Sequence, residues 1–241
     1  MKRTLKCFLE TALLPLGNTM YVYGGGWNEE DTGAGFEACS MGLSPLWKMF
    51  FEGQNADYDF REHLCGRQMG LDCSGYVGWV IYNTLETENG RPGYVMKARN
   101  MAKEFADRGW GSFCESASVM DYRPGDIMSG KDHVWIALGQ CSDGSVLMLH
   151  ASPPGVMISG TVTSQGRSQS EAVIMAGKIM SVLYPWWHEK YPCYLKGASY
   201  LTEYDQFRWD LHRGILTDPD GYAIIPLCQL LDNLFSGVNI S

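Results

Sequence analysis

The sequence predicts an α+β fold. Three patterns carry that expectation. Leu5, Phe8, Leu9, Ala12, Leu13 and Leu16 form a helical stripe near the N-terminus. A second helical pattern starts at Cys73, with apolar residues at Tyr76, Val77, Val80 and Ile81. Two alternating runs, His133 to Leu138 and Val146 to Ala151, read as paired antiparallel strands.

Taken in order, the first helix ends at Gly17, a residue suited to a C-terminal cap, and leads into a strand at Tyr21. Met1-Lys2-Arg3-Thr4-Leu5 opens like a signal peptide, but Lys6 and Glu10 break the apolar run and no clean cleavage site follows. Residues 28–70 form a long insertion before the Cys73 helix. Within it, Pro45 to Phe51 has the look of a short amphipathic helix, as suited to roofing a cleft as to packing on a surface, and its apolar residues lead us to expect that the insertion walls or covers one side of the cleft. Arg123-Pro124-Gly125-Asp126-Ile127 is a turn entering a strand, and Gln140 to Gly144 is a turn-rich connector. After Pro153-Pro154, residues 164–170 read as a mobile loop or linker. Ala172 to Tyr184 reads as a helix, Pro185 to Pro192 as an aromatic layer, and Leu227 to Phe235 as a closing helical stripe. The expected division is a catalytic unit over 1–154 and a mixed helical extension over 155–241, packed on the same domain.

Hydrophobic residues make up 45% of the 241, enough for a sizeable core and against disorder. The net charge of -8 argues against a nucleic-acid partner, which needs a basic surface. No segment is long and apolar enough to span a membrane. The eight cysteines show no Cys-x-x-Cys pair, and His63-x-Cys65 alone is too little for zinc, so no metal site is expected. With Cys73 set aside, an odd number remains, which fits a reducing setting better than a disulfide framework.

Chemistry gathers around Gly70-Leu71-Asp72-Cys73-Ser74-Gly75. A cysteine in the first turn of a helix feels the positive end of the dipole, which favours the nucleophilic thiolate. A catalytic cysteine needs a base, and the base needs an orienting group. His133 and His150 fall on one face of the expected hairpin. A tight turn at Asp143-Gly144 would pair Ala137 with His150. A six-residue loop from Gly139 to Gly144 would set His133 opposite His150, and this register is preferred because it brings the imidazoles within reach. His133 is then the base and His150 its orienter. His63, His188 and His212 have no such context.

In family order stand Tyr21-Val22-Tyr23-Gly24-Gly25, Asp72-Cys73-Ser74-Gly75, Pro124-Gly125-Asp126, His133-Val134-Trp135-Ile136 and His150-Ala151. This series resembles the signature of the NlpC-type cell-wall peptidases. The resemblance implies a papain-like fold, an antiparallel sheet with the nucleophile at the N-terminus of a packed helix. It implies a cysteine peptidase acting on peptidoglycan stem peptides, with Cys73 as nucleophile, His133 as base and His150 as third residue. Acyl transfer through a cysteine requires no organic cofactor, so none is expected. Tyr21 matches the active-site tyrosine of that family. Asp72, Ser74, Arg99 and Trp135 are the expected substrate contacts, Arg99 as a guanidinium for a substrate carboxylate. An amidase or acyltransferase with the same constellation, or a silent binding module, stays open beside the peptidase. So do the oligomeric state and the compartment: the family works mostly outside the membrane, whereas the N-terminus here lacks a convincing export signal.

Overall fold

The computed structural model describes residues 3–64, 66–85 and 92–235. Met1, Lys2 and Cys65, which enter the sequence reading, lie outside them. Thr4 caps the first helix, α1 (Leu5–Leu13), by accepting from the Cys7 N–H. The chain then turns at Gly17, whose φ of 67° suits glycine, and enters β1 (Met20–Tyr21). The insertion contributes α2 (Pro45–Glu52) before β2 (Gly70–Leu71) and α3 (Cys73–Leu85). Every residue of α3 is buried, so the helix that carries Cys73 is a central strut with no solvent face.

Next come α4 (Met101–Asp107), β3 (Gly111–Cys114), β4 (Ile127–Ser129), β5 (Val134–Gln140), β6 (Val146–Ser152) and β7 (Gly155–Thr161). The chain closes with α5 (Glu171–Leu183), α6 (Pro185–Lys190), β8 (Leu195–Lys196), α7 (Ser199–Thr202), β9 (Asp205–Trp209) and α8 (Leu227–Leu234). The strands form one sheet in the order β2-β1-β7-β6-β5-β4-β9-β3, with β8 alongside β7. Pairing is antiparallel except for β1 with β2 and β7 with β8. The fold is α+β, with a mixed sheet.

The chain after residue 154, expected as a helical extension, supplies β7, β8 and β9 to this sheet. β7 pairs with β6 along seven-residue strands, and β9 lies between β4 and β3. Residues 164–170 connect β7 to α5 within this unit and do not separate two bodies. Trp187, in the aromatic segment, is fully buried and stacks on Phe51 of α2 with ring centroids 5.5 Å apart.

The main core joins α3 to one sheet face through Val134, Ile136, Leu138, Leu147, Leu149 and Ala151. A smaller cluster of Met128, Trp135, Ala137, Val146 and Met148 fills the other face. The hairpin connecting β5 and β6 has neither register that the sequence suggests. Gln140 pairs with Val146 across a five-residue connector, and Ile136 pairs with Leu149. A bulge between Ala137 and Gly139 joins the two registers. Continued straight from the turn, the ladder would set Ile136 opposite His150 and send His133 to the other face. The extra residue restores the shared face.

Candidate active site

Cys73 opens α3 beside a glycine-rich turn. The Gly75 position abuts the Gly25 carbonyl so closely that no Cβ fits there. Gly26, at φ 90°, lies against the Gly75 Cα. Backbone thus meets backbone, and the start of α3 is pinned to the β1 loop. Asp72 closes the first turn: its carboxylate accepts from the Gly75 N–H at 2.7 Å and from Ser74 Oγ at 2.9 Å. Ser74 Oγ in turn accepts from Trp27 Nε1 at 2.9 Å. Asp72 and Ser74 therefore brace Cys73 at the head of α3, although both also border the cleft.

A cleft of about 570 Å³ opens at Cys73, lined by Tyr21, Trp27, Asp31, Lys97, Arg99 and Lys131 among others. Tyr21 and Arg99, both singled out in the sequence, thus line the same cleft as Cys73. Phe60 meets the Tyr21 ring edge-on at 5.3 Å, and Tyr58 Oη donates to the Tyr21 carbonyl at 2.7 Å. Burial, then Cys73 and Asp72, raise the Tyr21 phenol and keep it a neutral donor.

Two expectations are corrected. Trp135 does not reach the cleft: it is fully buried, with Tyr122, Tyr200 and Tyr204 against its ring. Its position follows from alternation, because it lies between the inward Val134 and Ile136 and fills the second core. The helix Pro45–Glu52 does not cover Cys73. Trp47 packs edge-on against Trp79 of α3, and Phe51 against Trp187, because its apolar face finds a ready-made aromatic bed there. The insertion reaches the cleft instead through Asp31, which Arg67 holds at 2.7 Å, and buttresses Tyr21 through Tyr58 and Phe60.

The histidines come together. His133 Nε2 lies 3.1 Å from His150 Nδ1, and His150 Nε2 lies 2.9 Å from Ser159 Oγ on β7. His150 is fully buried, which suits an orienting group. Tyr200 of α7 covers both rings, at centroid distances of 5.8 and 6.4 Å, and Tyr204 stacks on Tyr200 at 5.2 Å. Cys73 Sγ reaches the start of β5 from the α3 side, 3.9 Å from the carbonyl oxygen of Asp132. With Nε2 engaged on His150, Nδ1 is the His133 nitrogen left for another partner.

The helix-dipole argument for a resting thiolate fails here. Burial and the Asp72 charge push the Cys73 thiol up to about 12, against the pull of the N–H groups of Val134, Ser74 and Cys73 itself. Asp72 is itself pushed up to about 6, chiefly by burial. His133 keeps part of its surface accessible, yet its surroundings are dense. Burial first, then the Lys196 charge, lower it to about 3. The same causes, with His133 added, lower His150 well below the usual imidazole range. These shifts all favour the thiol and the neutral imidazoles over the charged forms.

Sequence reasoning missed Lys196, Tyr200, Tyr204 and Ser159. None sits in a recognisable motif, and the first three lie far along the chain from His133. Cys141, Asp143 and Glu171 present ligand-type atoms within 4.8 Å of one another, but these oxygens already cap α5 and the β5–β6 connector. Asp126 of the Pro-Gly-Asp turn is buried and takes Arg208 at 2.7 and 2.9 Å and Gln206 at 3.0 Å, an anchor between β4 and β9. Comparison with protein-family models, with curated proteins and with solved structures finds no match to this chain.

Proposed function

We propose that this chain is a cysteine peptidase of the papain-like NlpC type that hydrolyses amide bonds in peptidoglycan stem peptides. The observation that carries the reading is the chain of contacts from His133 Nε2 to His150 and on to Ser159, beside a cleft with Cys73 at the head of a buried helix. A base held by a buried orienter next to a helix-capping thiol is the arrangement acyl transfer needs.

The resting charge state defines the first step. As Cys73 sulfur attacks the scissile carbonyl carbon, its proton passes to His133 Nδ1, and the S–C bond forms as the C=O π pair moves to oxygen. Backbone N–H groups at the start of α3 stabilise the oxyanion. His133 returns the proton to the leaving nitrogen as the C–N bond breaks, leaving a thioester. Water then adds to the thioester carbonyl, losing one proton to His133; the C–S bond breaks as the sulfur takes that proton back, and the product leaves as a carboxylic acid that ionises in solvent. Lys97, Arg99 and Lys131 line the cleft together with Asp31, Asp72 and Asp132, which suits a peptide carrying both carboxylates and amines.

Incubation with defined stem peptides, with the products identified by mass spectrometry, tests the proposal. Cleavage of an amide bond that disappears in Cys73→Ala is expected. Turnover of the alanine variant at the original rate would remove Cys73 from the mechanism. Transfer of the acyl group to an added amine in place of water would move the reading to an acyltransferase.

A further inference from the structure

Lys196 ends β8, where it runs parallel to β7 at Thr161, and its side chain turns toward the histidine pair. Its Nζ lies 3.5 Å from Ser152 Oγ, two residues beyond His150, and 6.0 Å from the centroid of the Tyr200 ring that covers both histidines. Among the described residues, no carboxylate forms an ion pair with it. The acidic group that acts on it is the thiol of Cys193. A half-buried ammonium without a counter-ion is costly, and proteins ordinarily pair such a charge. Ser152 offers a hydroxyl beside the ammonium, a donor pair suited to the two oxygens of a carboxylate.

We propose that Lys196 and Ser152 form a carboxylate-binding subsite beside the histidine pair, filled by an acidic group of the substrate. The subsite rests on the peptidase reading only for the identity of its occupant. Its consequence for the base is direct. The Lys196 charge opposes imidazolium at both rings, and so opposes the His133 imidazolium that proton transfer from Cys73 creates. A carboxylate seated on Lys196 cancels that opposition as it binds. The base is thus strengthened only when an acidic substrate is in place. Lys196 is a positioning residue here, acting through the imidazoles and not on the scissile bond.

The experiment uses the wild-type chain and follows the imidazole 15N resonances of His133 and His150 as propionate is added, with propionamide as neutral control. A saturable shift with propionate and none with propionamide is expected. Saturation should need at least about tenfold more propionate in Lys196→Gln, and near wild-type amounts in Lys196→Arg. Ser152→Ala should weaken saturation several-fold, and it reads the same subsite if Lys196→Gln does not fold. Equal responses to propionate and propionamide, or unchanged saturation in the folded variants, would overturn the subsite. Because no peptide is cleaved in this measurement, failure of the peptidase reading would leave the propionate response intact. Loss of the response alone would leave peptide hydrolysis standing.

Discussion

Cys73 is a buried thiol next to a carboxylate, and that decides how it reacts. Its alkylation by iodoacetamide should show no ionisation step between pH 5 and 8, since burial and Asp72 push it up to about 12. Asp72→Asn keeps an oxygen for the Gly75 N–H and Ser74 Oγ but removes the charge. The thiol should then ionise at lower pH, and alkylation at pH 9 should rise several-fold. An unchanged rate in the folded variant would show that Asp72 does not set the thiol. The roles of the histidines separate in kinetics. His133→Ala should cost on the order of 10²–10⁴ in kcat, the usual worth of a general acid–base. His150→Gln should cost about tenfold less, because an amide can still hold the His133 ring. Equal losses in the two folded variants would make His150 more than an orienter. At this scale the sequence was informative where chemistry and motif coincide, as at Cys73, His133, His150 and Tyr21. It was silent on Lys196 and Tyr200, which reach the site only through the path of the sheet.

Helix α3 acts as a rigid post because it is buried along its whole length and pinned at its first turn. Gly75→Ala would press a methyl group onto the Gly25 carbonyl, a backbone wall that cannot swing away. The expected loss is about 3 kcal/mol or more, the upper end for overpacking, measured by urea denaturation, with activity falling further as Cys73 shifts. A loss below about 1 kcal/mol would mean the loop yields more readily than the contact suggests. Trp27→Phe keeps an aromatic ring but removes the donor to Ser74 Oγ along with part of the indole, and should cost at least about 1 kcal/mol. The helices were readable because their apolar spacing is regular: the stripes at 5–16, 172–184 and 227–235 became α1, α5 and α8. β9 was not. Its Asp-Gln-Phe-Arg-Trp run mixes charge with aromatics because Gln206 and Arg208 point at buried Asp126, so the polar face is also an inner one.

Over the whole molecule, one sheet binds the two ends of the chain together. β9 lies between β3 and β4, and Thr4 bridges to Thr217. A chain ending at residue 154 would lack β7, leaving β6 an open edge, and Asp126 would lose Arg208. It should fail to fold, and a cooperative unfolding transition from such a truncation would contradict the single-sheet description. That interdependence was invisible in the sequence, where the motifs end at His150 and the rest looked like an addition. Acid should also reveal the buried imidazole of His150. His150 is held well below the usual 6.5, so the unfolded chain takes up a proton that the folded chain refuses. The associated stability is present above pH 6.5 and is lost as pH falls below it. Between pH 7 and pH 5 the wild type should therefore lose about 2 kcal/mol more than His150→Gln, read from urea midpoints at the two pH values. Equal losses would show that His150 is protonated in the folded protein.

The bulge at Leu138–Gly139 also bears on what kinds of change this gene can survive. In a straight hairpin, losing one codon at the tip slips the whole ladder and turns one histidine away from the other. Here a codon lost from the connector between Gln140 and Val146 has somewhere to go. If the five-residue loop is kept, Gln140 moves into it, Gly139 takes its place opposite Val146, and Leu138 falls opposite Leu147 in a regular ladder. Both leucines already belong to the main core, so the straightened strand keeps its apolar face. Ile136 stays opposite Leu149, and His133 stays with His150. The tip of this hairpin can shorten by one residue while the histidine end stands still.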